Sequence, residues 1–137
     1  MRARLHVALI LAVALASVAL VAAGCGDDKP EYCSNVSDLQ QSVTDLKDVQ
    51  LESGALSTLQ TDLQTVQTNA NAVVSSAKAD FPSQTSALQS SVSSLSKTIN
   101  KLPQSPTAQQ LLRLAPEINS VVTAAQGFSD ATSSACD

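Results

Sequence analysis

Lys78-Ala79-Asp80-Phe81-Pro82-Ser83 is the stretch on which the fold turns, because it separates two helix-patterned runs and either reverses the chain or merely kinks it. Before it, Leu56, Leu59, Leu63, Val66, Ala70, Val73 and Ala77 recur at steps of three and four, the spacing of one buried helix face. After it, Leu88, Val92, Leu95, Ile99 and Leu102 repeat the same coiled-coil-like alternation. Proline lacks a backbone donor, clashes with the preceding helical turn and pushes the residue before it out of the helical region. The spacing therefore predicts two helices, over about 55–80 and 83–102, with a turn at Phe81-Pro82.

Two further amphipathic segments flank this pair. Val36, Leu39, Val43, Leu46 and Val49 mark a helix over about 35–51, with Ser34 or Asn35 as its N-cap and Gly54 as the break beyond it. Leu111, Ala115, Ile118, Val122 and Ala125 mark a fourth over about 106–134, with Ser105 capping and Pro106 in the first helical position. Pro116 falls inside that span and predicts a kink or a break. Leu112, Leu114, Val121 and Phe128 widen the apolar stripe, so an apolar groove lined by these four is expected if helix four stands away from its neighbours.

The first 24 residues have another character. Arg2 and Arg4 precede an apolar run from Val7 to Ala23 that only Ser17 interrupts, the layout of an export signal. Ala22-Ala23-Gly24-Cys25 then resembles the lipobox of bacterial lipoproteins, although Ala22 stands where leucine is usual. That resemblance implies a diacylglycerol thioether on the Cys25 sulfur and cleavage after Gly24. Two alternatives stand beside it: ordinary signal-peptidase cleavage after Ala23, giving a secreted protein, or an uncleaved membrane-spanning segment of about 19 residues. Residues 25–33 read as a short acidic tether and 34–137 as the bundle.

Three cysteines leave one unpaired in an exported chain. Lipidation of Cys25 removes the oddness and leaves Cys33 and Cys136 to form a disulfide in an oxidising compartment, the alternatives being two free thiols or a Cys25–Cys33 pair. Cys33 opens the first helix and Cys136 closes the last, so joining them requires an even number of passes. Four amphipathic segments satisfy this. The expected fold is all-α, an antiparallel up-down four-helix bundle closed by one disulfide.

Composition excludes several functions. Beyond Cys25 only six basic residues face all twelve acidic ones, which leaves nothing to neutralise a row of phosphates and argues against nucleic acid. The single histidine, His6, lies in the leader, so the body lacks the usual imidazole base and nitrogen metal ligand. Adjacent Ser96 and Lys97 point to different helix faces and make a poor catalytic pair. Asp27, Asp28 and Glu31 lack the alternating ligands and glycine turn of a calcium loop. No metal, no cofactor and no enzymatic activity is expected. Tyr32, beside Cys33, reads as a packing or interface residue at the mouth of the bundle.

The lipobox, the opening Cys33-Ser34-Asn35-Val36-Ser37-Asp38-Leu39, the Leu-Gln-rich texture of Leu59 to Val66 and Leu88 to Leu95, and the terminal Cys136 together resemble small lipoproteins and secreted helical proteins of actinobacteria. The resemblance implies location and fold but no activity. The expected role is a non-enzymatic envelope protein, lipid-anchored on the extracytoplasmic face through Cys25, that acts as a scaffold or binds an envelope protein or wall polymer. A small-ligand or lipid carrier, opening between helix four and the rest, is the alternative.

Overall fold

The structure, a computed structural model, describes residues 29–137; the leader, Cys25 and the first part of the tether lie outside the described residues. Four long helices and one short one make up the fold: α1 (Tyr32–Lys47), α2 (Leu56–Ala77), α3 (Pro82–Asn100), α4 (Ala108–Leu112) and α5 (Ala115–Cys136). Among the described residues there is no strand, and no helix is long and apolar enough to cross a membrane.

Phe81-Pro82 is a turn. The Phe81 amide donates to the Ala77 carbonyl at 2.8 Å, ending α2, and Pro82 is the first residue of α3. There its missing N–H falls among donors that no helix satisfies internally. Gly54, at φ +93°, makes the corresponding break before α2, a backbone conformation that side chains disfavour.

Two helix starts differ from expectation. α1 begins at Tyr32, so the tether stops short of residue 33 and Ser34 and Asn35 lie inside the helix rather than capping it. The Cys33 amide instead donates to the Pro30 carbonyl at 3.1 Å. Tertiary contacts outweigh capping preference here, since starting early buries Tyr32 and brings Cys33 to Cys136. α1 also ends at Lys47 rather than 51; Val49 and Leu51 prolong the apolar rhythm because the loop itself packs against the core. At the same end of the bundle, Thr107 and not Ser105 caps α4. Its hydroxyl accepts from the Gln110 amide at 3.2 Å while the Gln110 side chain accepts from the Thr107 amide at 2.9 Å, a reciprocal capping box.

Helix four is broken rather than kinked. α4 stops at Leu112, and Pro116 sits in the first turn of α5, where its lost donor costs little.

The core is mostly aliphatic, with Leu39, Leu46, Leu59, Leu88, Leu95, Ile99, Leu111 and Leu114 fully buried and Phe128 and Tyr32 as its buried aromatics. α1 packs against α2 and α5, and α3 packs against the same two, so the four long helices surround one core. Hydrogen bonds stitch the seams. Asn35 Nδ2 donates to Ser76 Oγ at 3.0 Å and Asn69 Nδ2 to the Asp38 carbonyl at 3.2 Å, both across α1 and α2. Gln67 Nε2 donates to Ser96 Oγ at 3.0 Å across α2 and α3, and Thr98 Oγ1 to Glu117 Oε1 at 2.8 Å across α3 and α5. Ser42, Thr85 and Thr132 are buried, and each hydroxyl bonds a carbonyl of its own helix or its cap, leaving no cost of unpaired burial.

Candidate functional site

Cys33 and Cys136 are joined by a disulfide with Cα atoms 5.5 Å apart, tying the first turn of α1 to the last of α5. Beside it the chain's only tyrosine and both of its phenylalanines form a row. Tyr32 and Phe81 meet edge to face with centroids 5.5 Å apart, and Phe81 meets Phe128 at 5.7 Å. Such pairs contribute about 0.5–1.5 kcal/mol beyond the area they bury. Tyr32 is thus a packing residue, and this end of the bundle is sealed.

The expected apolar groove does not form. Leu114, Val121 and Phe128 are fully buried in the common core, while Leu112 is 56% exposed on the outer side of α4. Neighbouring positions on a helix point about 100° apart, and with Leu111 and Leu114 turned inward Leu112 must face solvent. The break at Arg113-Leu114 lets both short α4 and long α5 press onto the core, Leu111 and Leu114 being fully buried, so nothing stands away to open a cleft. Cys25, the expected lipidation site, and Asp27 and Asp28 lie outside the described residues. Among the described residues no three His, Cys, Asp or Glu side chains gather where a metal ion could be held.

Surface depressions lie along the seams instead. Between α2 and α3 runs a groove of about 650 Å³, floored by Ala70 and Val92. Gln67 and Asn71 wall it on the α2 side; Gln89, Ser93, Ser96 and Lys97 do so on the α3 side. Ser96 is half-buried and engaged by Gln67, Lys97 is exposed, and the two neighbours border one groove. No acidic side chain lines it. The α1–α5 seam holds a smaller groove of about 400 Å³, where Lys47 and Asp48 bring both charge signs. The α3–α5 groove is lined by small uncharged residues such as Ala87, Ser91 and Ser120.

The α2–α3 groove escaped the sequence reading because its walls are polar. Gln67 and Asn71, four apart, and Gln89, Ser93 and Lys97, also four apart, are the signal that marks it: two carboxamide- and hydroxyl-bearing rows at helical spacing.

One carboxylate is unusual in its setting. Glu117, in the first turn of α5, accepts from Thr98 with Oε1, while Oε2 is buried with no hydrogen-bond partner. Its position at a helix N-terminus is electrostatically favourable.

No family model matches the chain, and neither the curated proteins nor the solved structures contain a match to it.

Proposed function

We propose that this chain is a non-enzymatic cell-envelope protein, anchored by a lipid on Cys25 at the extracytoplasmic face, whose helical bundle serves as a scaffold or binds a partner. The observation that carries the reading is the Cys33–Cys136 bridge. With those two sulfurs occupied by each other, Cys25 is the odd cysteine, and it follows an apolar, small-residue leader of the kind that directs acylation. The body supports the same reading through what it offers to chemistry. It has no histidine, and its many hydroxyls lie on helix surfaces without an adjacent base.

The topology that goes with this proposal is up-down-up-down. It is supported by the order of contacts: the start of α1 lies beside the end of α2 and the end of α5, and the end of α3 lies beside the start of α5. Cys25 precedes Cys33 by only eight residues, so an anchor there sits at the bridged end, and the loops 48–55 and 101–107 then face away from the membrane.

Metabolic labelling with a clickable palmitate analogue tests the anchor. Label on the wild-type chain and none on Cys25→Ser is the expected result; no label on wild type, or equal label on both, refutes it. The carrier alternative needs Leu114, Val121 and Phe128 to line an opening, and they are core residues.

A further inference from the structure

We infer that Cys25 and Cys136 compete for Cys33, and that capping the Cys25 sulfur commits the chain to the bridge that closes the bundle. The inference rests on the lipid-anchor reading above and gives the thioether a second role, as a gate on disulfide pairing.

The competition begins in the unfolded chain. Cys25 precedes Cys33 by eight residues, whereas Cys136 follows it by 103. Loop-closure probability falls with about the three-halves power of loop length, so before any helix packs the Cys25–Cys33 pair is favoured about 45-fold over the bridge. An oxidising compartment therefore selects the local pair first.

Folding reverses that preference. Cys33 lies in the first turn of α1 and Cys136 in the last turn of α5, with Cα atoms 5.5 Å apart, inside the span of a disulfide. The aromatic row sets them there. Tyr32, next to Cys33 in the chain, is buried edge to face on Phe81, and Phe81 meets Phe128 of α5. Phe128, Thr132 and Cys136 follow one another at steps of four on a single face of α5, and the first two are fully buried. Packing of this face against the start of α1 thus presents Cys136 to Cys33, and it does so only after the helices have assembled.

A free thiol at Cys25 undoes the selection by exchange. Cys33 and Cys136 are each only half-buried, so the bridge is open to attack. The Cys25 thiolate attacks Cys33 Sγ; the Cys25–Cys33 bond forms, the Cys33–Cys136 bond breaks, and the electron pair leaves on Cys136 Sγ as a thiolate. The exchange consumes no oxidant or reductant. A sulfur held in a thioether forms no thiolate and cannot attack. Lipidation therefore removes the competitor in the same step that anchors the chain.

The test is oxidative refolding of the full chain, made in a cell-free system that contains no lipidating enzyme. Wild type is compared with Cys25→Ala, which stands in for a sulfur withdrawn from exchange. Each chain is reduced and unfolded in urea with detergent, oxidised there with a glutathione buffer, and diluted into folding conditions in the same buffer. Non-reducing digestion and mass spectrometry count the pairs. In urea the wild-type chain is expected to hold Cys25–Cys33 over Cys33–Cys136 by about tenfold or more. After dilution Cys25→Ala should reach the Cys33–Cys136 bridge about fivefold faster than wild type or better, because it has no local pair to undo. Equal bridging rates, or no excess of the Cys25–Cys33 pair in urea, overturns the inference. Because refolding needs no lipid and palmitate labelling of Cys25 reads the anchor separately, the two readings fail independently.

Discussion

Thr98 Oγ1 donates to Glu117 Oε1 at 2.8 Å, and this is the one hydrogen bond found for a carboxylate whose second oxygen is buried without a partner. Removing the donor leaves a half-buried charge with neither oxygen satisfied. Thr98→Val, nearly isosteric, is therefore expected to lower stability by about 1.5–3 kcal/mol, the range for hydrogen bonds to charged groups. Adding Glu117→Gln should return part of that loss, because a neutral amide costs less to bury than a carboxylate. Urea unfolding of the two single variants and the double variant checks both statements.

Reducing the Cys33–Cys136 bridge frees a loop closed over a separation of 103 residues. The chain-entropy model assigns such a loop about 4–5 kcal/mol. The reduced chain should keep its helical circular dichroism at low temperature, because the core and seam hydrogen bonds remain, yet unfold at much lower urea. Equal midpoints with and without reductant would contradict this.

The two helix-associated glycines should respond in opposite directions. Gly54 has φ +93°, so Gly54→Ala is expected to cost about 1 kcal/mol although nothing crowds its Cβ. Gly127 lies inside α5, where an added Cβ meets no atom within 4 Å, and Gly127→Ala should raise stability by about 0.5–1 kcal/mol. Paired thermal melts give the two signs.

Phe128 and Leu112 belong to the same expected groove but should behave as opposites. Phe128 is fully buried against Phe81, and Phe128→Ala should cost about 3–5 kcal/mol. Leu112 is mostly exposed, and Leu112→Gln should change stability by about 0.5 kcal/mol or less. A large loss at Leu112 would mean that a partner or a second packing mode covers it.

The features readable from sequence were those that depend on periodicity or covalent arithmetic. The Phe81-Pro82 turn followed from proline's missing donor, and the bridge followed from pairing cysteines. The features that escaped depend on what touches what. Ser34 is a better cap than Glu31 by propensity, but Tyr32 and Cys33 have partners across the bundle, and these outweigh one capping bond. Thr107 outcompeted Ser105 because Gln110 stands three residues on and completes the box. Leu112 and Leu114 looked equivalent as letters in a stripe; the break before Pro116 decided which turned inward. The α2–α3 groove is made by two helices lying side by side, and neither row of polar residues announces the other.

The bridge also gives the bundle a load path. Tension applied between the segment preceding Cys33 and the terminal Asp137 travels through two sulfur atoms and leaves the helices between them unstretched. A cargo fused after Asp137 and pulled against the segment before Cys33 would load that bridge and not the core.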